Sequence, residues 1–299
     1  MKGILLIFAA CALWAIDTLI RYPLLGEGVP ATKIVLTEHL LLTIIFLWAA
    51  FKGRKKIWSM QVGHISYFIV IGGLGSALGT LSFTKAFTMI NPSLVILLQK
   101  LQPLVAITLA RIVLKERIKK EFLLWAVPCL IGGLMVSYKE VFPGLSDMDF
   151  GKAFSNPKAL TGIGLTFVAI ISWGASTPFG KKLSKEGYNE TEIMFGRFAM
   201  GLLCLLPFIS MDEVSFSNSP AVWGKISGMV LLSGVAGMWL YYHGLKKLSA
   251  RLCALAEMAF PFFAVLVNWV VLDAKLDPLQ LMGGALLLLG STMIQIKHY

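Results

Sequence analysis

Long apolar runs separated by short polar loops make up almost the whole chain. A helix needs about 20 mostly apolar residues to cross the hydrocarbon core of a bilayer. Ten runs approach that length, and the pattern therefore predicts ten transmembrane helices. The runs lie near Gly3–Ile20, Thr32–Phe51, Ile65–Lys85, Ser93–Leu114, Phe122–Tyr138, Leu160–Phe179, Glu192–Ser210, Ile226–Leu245, Leu252–Leu272 and Leu279–Ile296.

The runs of the first half recur in the second half at an offset of 158 or 159 residues. Trp14 matches Trp173, and Pro103 matches Pro261. Each half holds an odd number of runs, so the second half would enter the bilayer in the opposite direction. The prediction is an all-α membrane protein with ten transmembrane helices in two inverted five-helix repeats. The repeats are residues 1–139 and 160–299, joined by an outer linker loop at 140–159.

The composition agrees with a protein that is surrounded by the lipid bilayer. The 299 residues are 57% hydrophobic and 14% charged, whereas soluble domains carry about 25% charged residues. The net charge of +11 is spread over short loops rather than gathered on one face, so no nucleic-acid partner is predicted. The four Cys and four His are scattered, and the sequence therefore predicts neither a metal site nor a cofactor.

Positive residues collect in the loops on one side of the predicted bundle. Cytoplasmic loops carry an excess of Lys and Arg, and most of the 27 such residues follow the second, fourth, sixth and eighth runs or lie at the two ends. This distribution predicts a multi-pass protein of the inner (cell) membrane with both termini in the cytoplasm. Arg21, which directly follows the first run, is assigned to the outer side.

Ionisable side chains inside the apolar runs are the first candidates for function. A charge at the bilayer centre costs about 2.5–3.5 kcal/mol on insertion scales, so such residues usually face the bundle interior or a wet cavity. The candidates for substrate binding are Asp17, Glu38, Lys100, Arg197 and Glu257. Glu257 is also the candidate proton carrier. The directions of the runs predict that Lys100 lies in the outer half of the membrane and Glu257 in the inner half. Two structural alternatives stay open: Asp17 can be solvated near the outer interface, and Arg197 can be an ion-pair partner.

The most polar interior stretch is residues 99–103 in the fourth run. Its Pro103 lacks a backbone N–H and clashes with the carbonyl four residues earlier, so it predicts a kink. Pro261 predicts another kink at the matching place. Interrupted helices at corresponding positions of two halves point to a transporter's binding site. We therefore expect Gln99 and Gln102 to contact substrate and the two prolines to act as hinges; kinks that serve packing alone are the alternative.

Aromatic side chains in the first, sixth and eighth runs are the remaining candidates. Trp14, Trp173 and Tyr241 can wall a cavity for an organic ligand, because such cavities are lined mainly by apolar and aromatic groups. They can equally lie in the core or at the membrane interface, and both interpretations stay open at this point.

Several of these features together resemble a known family. They are the tripeptides Leu-Trp-Ala at 13–15 and Ser-Trp-Gly at 172–174, Pro103 and Pro261, and the helix end Leu-Lys-Glu-Arg at 114–117. Through them, and over essentially its full length, the chain resembles the EamA-type, ten-helix branch of the drug/metabolite transporter superfamily.

The resemblance implies an inner-membrane carrier of small metabolites, often an exporter of amino acids or toxic compounds. It also implies a central cavity lined mainly by the first, third and fourth helices of each half. The family usually has Arg in the second helix of both halves. Arg197 follows this rule, whereas Glu38 stands at the matching place in the first half.

The function that these patterns favour is secondary-active transport of small organic metabolites, namely amino acids or related compounds, by alternating access. We expect an exporter that works as a monomer or homodimer, with a proton as the coupling ion. An ion-coupled importer and a membrane-embedded lipid-modifying enzyme are the alternatives. The chain has no HExxH, GxSxG or Gly-rich nucleotide loop, and an enzyme is therefore not expected.

Overall fold

The computed structural model describes residues 2–53, 61–113, 120–141, 155–208, 219–247, 256–257, 259–273 and 275–298. These residues form helices and connecting turns, without a β-strand among them. Most of the predicted linker at 140–159 lies outside the described residues, as do the predicted start of the ninth run at Leu252 and the predicted ends of the fourth and seventh runs at Leu114 and Ser210.

The described residues contain ten major helical elements, which we number in chain order. Six of them are the uninterrupted α-helices α1 (Lys2–Gly26), α2 (Ala31–Gly53), α5 (Lys120–Val136), α6 (Pro157–Lys185), α7 (Glu190–Leu205) and α10 (Pro278–His298), and the shorter α9, given below, is a seventh. The others are α3 (Val62–Phe68, Ile69–Leu78, Gly79–Ala86), α4 (Pro92–Leu98, Gln99–Leu101, Gln102–Val113), α8 (Pro220–Met229, Val230–Gly237, Met238–Lys247) and α9 (Ala259–Leu272). A single helical turn, Tyr138–Val141, follows α5.

The middle segments of α3 and α8 are π-helical, and the third segment of α4 is preceded by a 3-10 turn. The π segments, Ile69–Leu78 and Val230–Gly237, overlap at the repeat offset. Single-turn π distortions are frequent at functional sites, because the widened turn leaves backbone carbonyls free for other donors. Both halves thus carry the same rare backbone feature in the same helix.

Six of the described helices are long and apolar enough to cross a bilayer. They are Gly3–Gly26, Ala31–Ala50, Val62–Ala86, Pro92–Leu109, Pro157–Lys185 and Pro220–Gly244. Two shorter apolar helices are Phe263–Leu272 and Pro278–Ile294. A multi-pass, all-helical membrane protein is therefore confirmed, while the count of ten crossings and the inverted orientation of the halves stay predictions.

Apolar side chains on the outside of the bundle agree with a lipid surface. On α5, Leu123, Val127, Leu130 and Leu134 follow helical spacing and are all more than half exposed. Cys129, on the other face of the same helix, is fully buried. Soluble proteins rarely expose a continuous apolar stripe of this kind, so this face of α5 is suited to contact with the hydrocarbon chains of a membrane.

The two halves interlock through their first helices. α1 packs on α8 and α9, and α6 packs on α3 and α4, so the first helix of each half lies against the third and fourth helices of the other. The second helices, α2 and α7, contact each other, as do the fifth helices, α5 and α10. Each contact therefore has a counterpart at the repeat offset.

Two tryptophan–glycine contacts show how closely the counterparts agree. A methyl group at Gly79 would lie 2.8 Å from the indole nitrogen of Trp173. A methyl group at Gly237 would lie 2.8 Å from the indole nitrogen of Trp14. Trp14 matches Trp173 and Gly79 matches Gly237 at the repeat offset, so both indoles approach the partner helix where only glycine leaves room.

Candidate functional site

Three charged side chains meet inside the bundle between α1 and α2. Arg21 donates from Nε to Oδ2 of Asp17 at 2.7 Å and from Nη2 to Oδ1 at 3.2 Å. The same Nη2 reaches both carboxylate oxygens of Glu38, at 3.3 and 3.1 Å. All three residues are at most 8% exposed. We call Asp17, Arg21 and Glu38 the charged cluster.

The position of Arg21 corrects the sequence-based assignment. The pattern ended the first helix at Ile20 and left Arg21 on the outer side, but α1 continues through Pro23 to Gly26. Arg21 is instead buried between two carboxylates. Its spacing of four residues from Asp17 was the available signal, because side chains at i and i+4 are neighbours on a helix. The predicted site residues Asp17 and Glu38 thus share a partner that the sequence analysis missed.

Hydroxyl groups from two further helices complete the charged cluster. Arg21 donates from Nη1 to the Thr84 hydroxyl of α3 at 3.2 Å. The Ser233 hydroxyl of α8 donates to Oδ1 of Asp17 at 2.6 Å. Ser233 belongs to the second half of the chain, so this hydrogen bond joins the halves directly. Charge-assisted hydrogen bonds of this type are about twice as strong as neutral ones.

His39 and Arg197 lie beside the charged cluster, at the contact between α2 and α7. His39 is buried, its Nδ1 lies 2.8 Å from the carbonyl oxygen of Val35, and its Nε2 lies 2.9 Å from the Ser76 hydroxyl. Because a carbonyl only accepts, Nδ1 carries the proton and Nε2 accepts from Ser76. Arg197 is half-buried and near enough to act electrostatically on His39, and its Nε has no hydrogen-bond partner in the described part of the chain.

A second pair of charges joins α4 to the residues just before α9. Lys100 is 7% exposed, and Glu257 is half-buried and within electrostatic reach of it. The Lys100 ammonium also lies 5.8 Å from the centre of the Phe260 ring, a distance at which a cation is attracted by an aromatic face. The sequence analysis placed these charges in opposite halves of the membrane, and the fold brings them together.

The Phe260 ring beside Lys100 belongs to a group of packed aromatic side chains. Trp14 lies 5.5 Å from Tyr241 and 6.4 Å from Phe260 between ring centres. The Trp14 indole N–H donates to the carbonyl of Ser233, in the π-helical segment of α8, at 3.2 Å. On the other side of the core, Trp173 lies 5.0 Å from Phe83. We call Trp14, Tyr241 and Phe260, together with Lys100 and Glu257, the aromatic cluster.

The polar stretch of α4 contains the predicted break in the helix. Residues Gln99–Leu101 form a 3-10 turn, and Pro103 is the second residue of the α-helical segment that follows. Gln99 and Gln102 are half-buried, and the side-chain oxygen of Gln99 has no hydrogen-bond partner among the described residues. Pro261 is the third residue of α9, and residues 248–255 before it lie outside the described part. The hinge role of both prolines stays a prediction.

A groove between α3 and α7 has a different character. Its volume is about 360 Å³, and its walls are apolar side chains that include Leu74, Leu78 and Cys204. A polar metabolite would lose its hydrogen bonds with water there without replacement. The groove therefore suits a lipid chain, and the polar chemistry of the described residues is concentrated in the charged and aromatic clusters.

Comparison with known proteins places the chain among transporters. The chain is 28% identical to the riboflavin transporter ImpX of Fusobacterium nucleatum subsp. nucleatum, with 97% of this chain and 96% of that protein covered. It is 26% identical to the uncharacterized transporter YyaM of Bacillus subtilis, with 83% and 79% covered. A solved crystal structure matches 99% of this chain and 97% of its own with a TM-score of 0.64 at 16% identity, which shows that the fold is shared.

The model of the EamA-like transporter family matches the chain twice, over residues 1–138 and again over residues 160–296. The matches cover nearly all of the sequence, and both of these relatives are named as transporters. The chain therefore belongs to the EamA-like transporter family and is a multi-pass membrane protein that transports small molecules.

Proposed function

We propose that this protein is a secondary transporter of a planar, polar aromatic metabolite and that riboflavin is the first compound to test. The observation that carries the proposal is the aromatic cluster. Trp14, Tyr241 and Phe260 offer ring faces next to the opposite charges of Lys100 and Glu257. Rings of this kind bind a flat heterocycle by stacking, while a few polar groups fix its orientation.

The relative ImpX, whose name says that it transports riboflavin, supports this substrate class, because the similarity extends over nearly the whole length of both chains. The charge pair supports a second candidate. An ammonium group fits beside Glu257 and a carboxylate beside Lys100, so an aromatic amino acid satisfies the same cluster. This candidate keeps the amino-acid class that the sequence favoured.

The transport cycle in this proposal is alternating access of the two halves, residues 1–139 and 160–299, in inverted orientation. The matching contacts of Trp14 with Gly237 and of Trp173 with Gly79 support it, because each lies between the first helix of one half and the third helix of the other. If one of these contacts loosens while the other tightens, the core opens first to one side of the membrane and then to the other.

The proposal also keeps the predicted placement in the cell membrane, with both termini in the cytoplasm and export as the direction. A reporter fused to the C-terminus and a tag in the linker at 140–159 test the orientation. A cytoplasmic reporter together with an externally accessible tag is expected; an external C-terminus would reverse the assignment.

The test of substrate class is uptake into proteoliposomes that contain the purified full chain. Labelled riboflavin, tryptophan and a hydrophobic cation are compared in wild type, Lys100→Met and Lys139→Met. Lys139 is a matched control because its side chain is 57% exposed at the surface. We expect riboflavin flux in the wild type and the control and its loss in Lys100→Met. Flux of tryptophan alone would select the second candidate, and flux of neither aromatic compound would contradict the proposal.

A further inference from the structure

The charged cluster contains more negative than positive charge. Asp17 and Glu38 carry two carboxylates, and Arg21 supplies one guanidinium. The remaining groups that the structure sets against them are neutral hydroxyls, Thr84 from α3 and Ser233 from α8. An unpaired charge inside a protein is costly unless it is neutralised. Two ionised carboxylates would therefore leave one uncompensated negative charge in this part of the bundle.

The hydrogen bonds divide unequally between the carboxylates. Asp17 receives two different nitrogens of Arg21 and the Ser233 hydroxyl. Glu38 receives a single nitrogen of Arg21, shared between its two oxygens at 3.3 and 3.1 Å. The bidentate geometry and the hydroxyl bind an ionised Asp17 well. The negative charge of Glu38 is therefore compensated by fewer hydrogen bonds than that of Asp17, although Glu38 is only 8% exposed.

Other titratable groups nearby do not supply the missing positive charge. His39 follows Glu38 on α2, but its ring nitrogens are engaged with the Val35 carbonyl and the Ser76 hydroxyl as a neutral imidazole. Arg197 on α7 acts electrostatically on His39, and its backbone carbonyl faces Gly72 of α3. The described residues thus leave Arg21 as the cation that contacts Glu38.

The fold itself does not require these charges. At the repeat offset, Asp17 corresponds to Ser176, Arg21 to Gly180 and Ser233 to Gly75. There, α6 meets α3 through close packing of small residues, with Ser176 directly against Gly75. The α6–α3 contact is therefore the same helix contact formed without an acid–base cluster. Since the packing does not need these charges, the presence of the charged cluster at the α1–α8 contact points to a role in function.

From this geometry we infer that Glu38 is the site of a coupling proton, bound as a neutral carboxylic acid in one stage of the transport cycle and released as a carboxylate in another. The carboxylate gains one proton from the aqueous side that the cycle exposes and returns it on the opposite side. An ionised Glu38 holds Arg21 between α1 and α2. A protonated Glu38 leaves Arg21 with Asp17, which is itself joined to Ser233 of the second half.

This inference rests on the proposed transport function, and the test separates the two. Proteoliposomes containing the full chain are given labelled riboflavin either with an equal internal load of unlabelled riboflavin or with a pH gradient. Wild type, Glu38→Gln, Glu38→Asp and Glu27→Gln are compared. Glu27 is the matched control because it is a half-exposed acid paired with Lys225. Exchange of labelled for unlabelled riboflavin tests transport. Accumulation of labelled riboflavin driven by the pH gradient tests coupling to protons.

We expect Glu38→Gln to retain exchange and to lose accumulation driven by the pH gradient completely. Glu38→Asp should regain part of that accumulation, and Glu27→Gln should match the wild type. Gradient-driven accumulation that survives in Glu38→Gln would overturn the inference, as would accumulation that follows a sodium gradient instead of the pH gradient.

A second readout does not need a substrate. Infrared pH-difference spectra of the full chain in lipid report the carbonyl band of a protonated carboxylic acid. We expect a band that disappears on raising the pH in the wild type and in Glu27→Gln and that is missing in Glu38→Gln. If no compound in the panel is transported but this band is found, the proposed substrate fails while the proton site stands. Identical spectra in wild type and Glu38→Gln would overturn the site.

Discussion

In the contact between α1 and α8, a carboxylate on Asp17 accepts a hydrogen bond from Ser233, and Arg21 extends the polar contacts to α2. In the matching contact between α6 and α3, the side chain of Ser176 faces Gly75 so closely that a methyl group at Gly75 would lie 2.5 Å from its Cβ. The α1–α8 contact is stabilised by hydrogen bonds to charged groups, and the α6–α3 contact by close packing of small residues.

The difference between the two contacts indicates that the two halves of this transporter have separate roles. Close packing of small residues permits helices to approach and slide, because backbones meet without long side chains between them. Charges buried between helices instead make the contact depend on ionisation, since removing or adding a proton changes what must be neutralised. The repeated fold thus provides the contact between these helices twice and the Asp17–Arg21 ion pair once.

The largest effect is expected from removing the cation of the charged contact. Arg21→Met leaves Asp17 and Glu38 buried without their common partner, and breaking a buried ion pair in this way costs about 3–5 kcal/mol. The measurement is the thermal unfolding of the purified full chain in detergent. Removing all three charges together, as Asp17→Asn, Arg21→Met and Glu38→Gln, should cost less than Arg21→Met alone. Equal losses would show that the carboxylates do not depend on Arg21.

A smaller effect is expected in the uncharged contact. Gly75→Ala forces a methyl group against Ser176, and such overpacking costs about 1–3 kcal/mol. Gly180→Ala is the matched control, because a methyl group there meets no described atom within 4 Å. Alanine favours a helix by about 1 kcal/mol over glycine, so the control should be as stable as the wild type or more stable. The same thermal unfolding assay measures both; equal stability of the two variants would contradict close packing at Gly75.

The smallest effect is expected for a charge pair outside the membrane-spanning helices. Asp277, before α10, accepts from Lys139 at 2.9 Å and from Tyr138 at 3.0 Å. Burial alone would raise the pKa of Asp277, but hydrogen bonds from the Gln280 backbone, Lys139 and Tyr138 outweigh it and lower the pKa below its ordinary value. The contact therefore stabilises the fold at neutral pH and loses that contribution as the pH falls through the lowered pKa.

Asp277→Asn keeps the helix cap and removes the ion pair, so at pH 7 it should cost less than about 1 kcal/mol, as surface pairs do. Thermal unfolding at neutral and at acid pH measures the difference between variant and wild type, which should shrink in acid. A loss as large as that of Arg21→Met would contradict the distinction between interior and surface charge.

The sequence predicted the helical membrane fold and several of its buried polar residues well. Asp17, Glu38 and Lys100 could be recognised because a charge within an apolar run needs an interior partner. Arg21 could not, because the apolar run was taken to end at Ile20, whereas the helix continues through Pro23 to Gly26 in the folded bundle. The sequence alone does not indicate that a residue at a helix end is covered by two neighbouring helices.

The meeting of Lys100 with Glu257 was equally beyond sequence reasoning. Both residues were chosen as candidates, but their depths were inferred from separate runs that begin on opposite sides of the membrane. They lie within electrostatic reach of each other because α9 packs on α1 and on the first segment of α4 across the boundary between the halves. Pairings between distant helices depend on packing, which the period of the apolar pattern does not encode.

Counterflow of labelled riboflavin through proteoliposomes containing only this chain tests the central claim most directly. Vesicles loaded with unlabelled riboflavin are diluted into a trace of label without any ion gradient. An alternating-access carrier predicts a transient accumulation of label inside above its equilibrium level, because the unlabelled riboflavin inside competes with the entered label for the site that faces inward and so delays its exit. Entry of label to equilibrium without that overshoot would contradict the carrier mechanism, and no entry above that of empty vesicles would contradict riboflavin as a substrate.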